Sequence, residues 1–217
     1  VSDFLHADPQ RVGASLTGDQ VHVWRLPYAR HQGHAPFRAL LSAYLGMAPD
    51  DVQLARGPHG RPYLAAPQDD FRFNWSHSGE CAVMVLSRSL ACLGVDYEAV
   101  RPRPRALALA RRFFRHDEAD ALAALAPDLQ TSAFLRLWTA KEAVLKGLGV
   151  GLHYGLDRVP FALNDTAIEA LEFDGPVGEA SRWQIHSRTD ASGYLGLAWR
   201  GPARHVACFL PDAELCP

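Results

Sequence analysis

Nothing in this sequence is long and apolar enough to cross a bilayer. The longest apolar stretch, CAVMVLSRSLACLGV at 81–95, is interrupted by Ser87, Arg88 and Ser89. It is expected to form two strands and a turn rather than a membrane span. No charge of one sign dominates either: the net charge is -2, which removes any general attraction to nucleic acid or to an anionic membrane. No C-x-x-C pair occurs among the four cysteines, Cys81, Cys92, Cys208 and Cys216. Cys81 and Cys92 lie in apolar runs, where a reduced thiol packs as a small hydrophobe, so a cytoplasmic compartment is expected. Gly57 and Gly60 in GPHGRPYL match neither a P-loop nor G-x-G-x-x-G, so no nucleotide motif of those types is present. No segment is low-complexity. No leader pattern opens the chain, whose first residue is Val, and a trimmed or replaced start is expected.

What the chain does have is an ordinary globular composition. It has 217 residues, 48% hydrophobic and 21% charged, enough for one large domain or two small ones sharing a core. Residues 1–20 carry Pro9, Gly13 and Gly18 and read as an irregular lead. QVHVWRL (20–26) alternates as a strand does. APFRALLSAYLG (35–46) has helical spacing and ends on Gly46, a C-cap residue. Residues 71–87 predict strand, polar turn around Ser76–Glu80, and strand; ACLGVDYE (91–98) predicts another. RPRPR (101–105) resists both helix and ladder and reads as a linker. Beyond it, 106–125 and 131–149 predict helices, the second opened by a Thr/Ser cap, and five short strands follow. The expected architecture is α+β, helices laid on an antiparallel sheet in each of two similar halves, 1–100 and 106–217.

Three clusters carry chemistry. Asp96 and Glu98 flank Tyr97 in a predicted strand, so both carboxylates share one face. Such a pair repels unless a cation, a shared proton or water intervenes, and hard oxygen donors suit Mg²⁺. A solvated strand end is the alternative. In WTAKEAVLK (138–146), Trp138, Glu142 and Lys146 follow one helical stripe with Lys141 beside it. An acid between two lysines suits a metal, a base or a polyphosphate, and an exposed Glu–Lys pair is the alternative. FNWSHSGE (73–80) offers hydroxyls, the His77 imidazole and backbone N–H groups to an anion, or is merely a solvated turn.

Together and in order, GRPYL, FNWSHS, GVDYE, RFFRHDE and WTAKEAVLKGLGVGL resemble the motifs of the 4′-phosphopantetheinyl transferases. The likeness is to the larger, surfactin-synthetase-activating (Sfp-like) type and spans most of 36–160. It implies transfer of the phosphopantetheine arm of coenzyme A to a serine of an apo acyl or peptidyl carrier protein, with release of adenosine 3′,5′-bisphosphate. It implies a cleft between two α+β halves of a monomer. By that resemblance Asp96, Glu98 and Glu142 hold Mg²⁺, with Mn²⁺ as a substitute. Glu142 is also the general base, directly or through a metal-bound water, and Lys146 neutralises the diphosphate and leaving group. Lys141, His77 and Ser76 are expected at phosphates, Arg61 near the adenine, and Arg38 at the 3′-phosphate, where Arg30, His31 or His34 can substitute. Trp138 is expected to anchor the helix by packing. Arg103, Arg105 and Arg112 are candidates for steering an acidic carrier. A non-catalytic binder of carrier or coenzyme, and a metal-dependent phosphoesterase, are the competing readings.

Overall fold

The strand at 81–88 shows why the sequence reads as it does: it is buried on both faces, so its apolar residues run on without alternation. The computed structural model describes residues 3–57, 59–68, 70–164, 168–173 and 175–212. In chain order these form β1 (Phe4–Ala7), α1 (Pro9–Ala14), β2 (Gln20–Pro27), α2 (Ala35–Leu45), β3 (Leu54–Arg56), β4 (Pro62–Leu64), β5 (Phe71–Ser78), β6 (Cys81–Arg88) and β7 (Cys92–Ala99). After the proline-rich segment come α3 (Ala106–Phe113), α4 (His116–Ala124), α5 (Pro127–Leu148), β8 (Phe161–Leu163), β9 (Ile168–Ala170), β10 (Trp183–Asp190), β11 (Gly193–Arg200) and β12 (His205–Pro211). This is the mixed helix-and-sheet architecture the sequence implies.

A five-stranded sheet, β1-β12-β2-β6-β5, faces a three-stranded antiparallel sheet, β10-β11-β7. Val21, Val23, Val83 and Val85 of the first meet Leu93, Val95, Tyr97, Leu195, Leu197 and Trp199 of the second. The alternate residues of β2 and β6, among them Trp24, Leu26, Met84 and Leu86, point the other way and pack with Phe37, Leu40 and Leu41 of α2. On the far side α5 covers the smaller sheet. The layers therefore run α2, sheet, sheet, α5, and period-two alternation in each strand decides which layer a side chain enters.

The sheets do not follow the expected division at 101–105. β7 precedes the linker yet pairs with β11 (Tyr97 opposite Leu195), and β12 follows it yet lies between β1 and β2 (Cys208 opposite Val23). Both strands are apolar enough to serve either sheet, and partner choice is a non-local matter that local composition does not encode. The two sheets also differ in strand number. Smaller differences have local causes. The lead contains β1 and α1, whose N-cap Asp8 accepts from the N–H groups of Gln10 (2.7 Å) and Arg11 (3.0 Å). The helix expected over 106–125 is two, because Phe114 turns into the core and the Glu118 carboxylate caps the Arg115 N–H at 3.0 Å. α5 starts earlier than expected, with Pro127 in its first turn, and Thr131 and Ser132 lie inside it. Gly46 and Gly149 cap α2 and α5 in the left-handed conformation. Cys81 and Cys92 are free thiols, and Cys216 lies outside the described residues.

One buried polar chain lies on the outer face of the larger sheet. Trp24 Nε1 donates to the Tyr44 hydroxyl (2.6 Å), which lies 2.9 Å from His22 Nδ1, and His22 Nε2 lies 3.2 Å from Gln20 Oε1. The sequence of donors requires the neutral His22 tautomer with its proton on Nε2. Burial, aided by His205, lowers the His22 pKa to about 4 from the ordinary 6.5. A depressed histidine stabilises the fold fully above its unfolded pKa and loses that contribution as pH falls toward the folded value. The loss amounts to about 3 kcal/mol. Urea melts of wild type and His22→Gln are expected to converge in midpoint between pH of about 7 and about 4.5; a constant gap would contradict the assignment.

Candidate active site

The acids of β7 face α5 because Val95 and Tyr97 face the other sheet. Tyr97 is buried there, its hydroxyl donating to the Ser192 carbonyl at 2.7 Å. Gly94, on the acid face, lets the helix sit directly on the strand: a Cβ there would lie 2.0 Å from Ala143 O and 2.4 Å from Gly147 N. Ala143 and Gly147 are the neighbours of Glu142 and Lys146. Glu142 and Lys146 are thereby delivered over Asp96.

β5 supplies the other wall. It continues through Ser78, so Ser76 and His77 are strand residues, and the turn is confined to Gly79 and Glu80. The polar turn expected around Ser76–Glu80 is corrected to that extent. β5 runs beside β7 in the same direction: the Val95 N–H donates to Asn74 Oδ1 (3.0 Å), Ser76 Oγ to Asp96 Oδ1 (2.8 Å) and Ser78 Oγ to Glu98 Oε2 (2.7 Å). Lys146 Nζ contacts both Asp96 Oδ1 (2.5 Å) and Ser76 Oγ (2.9 Å). Glu98 meets Arg103 through Oε2, with Arg101 at 3.5 Å. The resulting cleft, about 430 Å³, is lined by Ser76, His77, Asp96, Glu98, Glu142 and Lys146, with Trp75, Trp138 and Leu152 at its sides.

Charge in the cleft is poorly balanced. Asp96 is 5% exposed and Glu142 8%. Burial first, then the charges of Asp96 and Glu98, raise the Glu142 pKa to about 7, against the pull of Lys146. Asp96 Oδ2 is buried with no hydrogen-bond partner among the described residues. An orphan carboxylate oxygen beside a second buried acid fits a hard cation. Among the described residues, however, the acids do not form a ready-made metal cluster. Asp96 Oδ1 and Glu98 Oε2 are each turned to a basic side chain of the protein itself. His77 is exposed, stacked on Tyr28 at 4.5 Å, and its pKa is lowered by partial desolvation, then by Arg30, Lys146 and His34. Arg30 and Lys146 make that rim of the cleft electropositive.

The other residues singled out by sequence lie elsewhere. Lys141 is fully buried on the opposite face of α5, with Nζ 2.7 Å from Glu118 Oε1 and bonded to the carbonyls of Leu156 (3.0 Å) and Val159 (2.6 Å). A phosphate contact is not possible from there, and the expectation is corrected: five residues before Lys146, Lys141 sits about 140° around the helix from it. Lys141→Met is expected to destabilise the fold by about 3–5 kcal/mol by stranding Glu118. In the folded fraction the steady-state kinetics should be unaltered; thermal melts paired with activity assays read both. Arg38 donates to the Val52 carbonyl at 2.5 Å and does not line the cleft. Arg61 lines an adjoining recess of about 230 Å³ with His59, Trp75, Lys146 and Gly149, its guanidinium bonded to backbone carbonyls. Trp138 packs against Phe113, Phe114 and Phe134. Sequence reasoning missed Ser78, Asn74 and the grip of Arg103 on Glu98. The spacing of Ser76 and Ser78 matches that of Asp96 and Glu98, and that match was the available signal.

A cleft with paired acids on a strand, an acid and a lysine on a helix, and hydroxyl donors opposite suits an enzyme handling a phosphorylated, cation-bound substrate. Comparison with known proteins specifies the class. A family model described as the 4′-phosphopantetheinyl transferase superfamily matches residues 92–200, and one described as 4′-phosphopantetheinyl transferase, N-terminal, matches 32–89. A Synechocystis sp. protein provisionally named a 4′-phosphopantetheinyl transferase is 32% identical over 170 residues, 75% of this chain and 68% of that one. The 4′-phosphopantetheinyl transferase HetI of Nostoc sp. is 28% identical, over 76% of this chain and 83% of its own. A 4′-phosphopantetheinyl transferase of Bacillus subtilis is 29% identical, over 76% and 74%. The chain belongs to the 4′-phosphopantetheinyl transferase superfamily. It is therefore an enzyme of the class that transfers a phosphopantetheine group. No described helix is long and apolar enough to cross a membrane.

Proposed function

We propose that the protein transfers the 4′-phosphopantetheine arm of coenzyme A to a serine of an apo acyl or peptidyl carrier protein, releasing adenosine 3′,5′-bisphosphate. The observation that carries this reading is the meeting of Asp96, Glu142, Lys146 and Ser76 in one cleft, where a buried carboxylate oxygen of Asp96 has no hydrogen-bond partner. Asp96, Glu98 and Glu142 would hold Mg²⁺ or Mn²⁺, which when bound would offset the negative charge of the coenzyme diphosphate.

The chain's own groups account for the remaining chemistry. Glu142, which lines the cleft beside Asp96, accepts the proton of the attacking serine hydroxyl. Lys146 leaves Asp96 for the diphosphate and neutralises the departing oxygens. Ser76 and His77 donate to phosphate oxygens on the β5 side. Arg30 and His34 at that rim, more than Arg38, receive the 3′-phosphate. The adenosine lies toward the recess beside Trp75. Positioning of this kind supplies most of the barrier reduction in phosphoryl chemistry. Exposed Arg105 and Arg112, beyond the cleft, steer an acidic carrier, whereas Arg103 is committed to Glu98. The protein acts as a cytoplasmic monomer.

Intact-mass spectrometry of a panel of apo carriers tests this. A gain of one phosphopantetheine that needs both coenzyme A and Mg²⁺ is expected. Cleavage of coenzyme A with no carrier modified would establish a phosphoesterase instead, and binding without product a non-catalytic relative.

A further inference from the structure

Arg61 makes an unusual set of bonds for a residue in a loop. Its Nη1 donates to the carbonyls of Lys146 and Gly147, both at 2.7 Å, in the last turn of α5. Its Nη2 donates to the carbonyl of Leu93 in β7 at 2.8 Å and reaches that of Phe73 in β5 at 3.4 Å. One guanidinium thus joins three elements that no backbone ladder joins: β5 and β7 belong to different sheets, and α5 belongs to neither. These carbonyls bear a fixed relation to the site. Ser76 is three residues beyond Phe73, Asp96 is three beyond Leu93, and Lys146 is itself one of the held residues. Their side chains are the ones that converge, Lys146 Nζ on Asp96 Oδ1 and Ser76 Oγ.

The helix end needs such a partner. The last carbonyls of a helix lack intrahelical donors, and the C-cap Gly149 satisfies only part of the deficit, through Leu145 O at 2.9 Å and Lys146 O at 3.2 Å. A cation at a helix C-terminus is also favoured by the macrodipole. Gly149 has a φ of 77° and its Cα lies against Arg61, since a Cβ there would meet Arg61 Cδ at 3.4 Å. Only a planar fork spans these acceptors at once; the compact ammonium of lysine cannot.

We propose that Arg61 is a positioning residue: it clamps the C-terminal turn of α5 to β5 and β7, so that Lys146 is held in register with Asp96 and Ser76. It acts through backbone carbonyls rather than by contact with the coenzyme. This deepens the transferase reading and rests on it for its kinetic arm.

The test uses the whole protein with Arg61→Ala and Arg61→Lys, with and without added guanidinium ion. Arg61→Ala is expected to lower kcat by at least about tenfold, with the KM for coenzyme A changed by less than about threefold. Guanidinium should restore much of the loss in Arg61→Ala, and Arg61→Lys should remain impaired. Hydrogen exchange at the amides of 147–150 should quicken in Arg61→Ala and slow again with guanidinium, while exchange in β2 and β6 is unaffected. A raised KM with intact kcat would overturn the proposal in favour of a coenzyme contact. Unaltered exchange at the helix end would overturn it outright. If wild type transfers no phosphopantetheine, the functional reading fails, while the exchange arm still decides whether Arg61 is the clamp.

Discussion

Glu142→Gln is expected to lower turnover by at least about 10²-fold and, in the same molecule, to raise stability at alkaline pH. The two effects have one origin. Glu142 is nearly buried between Asp96 and Glu98, and its pKa is raised to about 7, burial being the largest cause. A carboxyl whose folded pKa lies above its unfolded value favours the fold while protonated. Its contribution is complete below the ordinary carboxyl pKa and is lost as pH rises through about 7. Above that, the ionised acid costs up to about 3 kcal/mol. Glutamine keeps the shape and removes the charge, so with chelator present the variant should melt later than wild type at a pH of about 8. Glutamine takes no proton from a serine and offers a weaker ligand to a divalent ion, so activity falls. A variant of near-normal turnover would remove Glu142 from the chemistry. One that melts earlier at alkaline pH would show that the acid cluster is not under repulsion.

Gly94→Ala should do more damage than its single methyl suggests. The new Cβ would sit 2.0 Å from Ala143 O, 2.4 Å from Gly147 N and 2.9 Å from Gly147 Cα. All three are backbone atoms of a long buried helix, so no side-chain rotation relieves the clash. α5 must lift off β7, giving up contacts of Ala140, Ala143 and Val144 with the core, at a cost of about 4 kcal/mol or more. Gly196, whose Cβ would lie 2.2 Å from Thr139 O, constrains the same helix from β11. Any molecules that still fold should be inactive, because the displaced residues adjoin Glu142 and Lys146. Gly18→Ala is the control: nothing lies within 4 Å of a Cβ there, and stability should be unchanged or slightly raised. Denaturant melts of the two variants and wild type measure the contrast; a Gly94→Ala protein as stable as Gly18→Ala would refute close helix–strand contact as the device that sets the site.

How much of this was legible in the sequence depends on whether the determinant is local. The shared face of Asp96 and Glu98 follows from strand alternation, and the cap at Gly46 from glycine's tolerance of positive φ. Ser76 was expected at a phosphate and in a turn; it is a strand residue bonded to Asp96, because Ser-His-Ser before Gly79 has turn chemistry that the ladder with β6 overrides. Lys141 shows a limit of stripe reasoning. It is the residue next to Glu142, yet a step of about 100° carries it to the other side of α5, where Glu118 awaits it. That partner lies in α4, and nothing in WTAKEAVLK announces it. The crossings of β7 and β12 between the two halves are likewise long-range pairings. Arg61 was singled out for a ligand, whereas its acceptors are main-chain oxygens that no side-chain pattern reveals.

The central claim is that the strand acids and the helix acid share one divalent cation against the coenzyme diphosphate. A crystal grown with coenzyme A and Mn²⁺ tests it most directly, since anomalous scattering locates the metal independently of the protein. The account requires one manganese peak bound by Asp96, Glu98 and Glu142, with the diphosphate beside it and Lys146 swung from Asp96 onto a phosphate oxygen. A metal held elsewhere, or a diphosphate bound away from these three carboxylates, would contradict it.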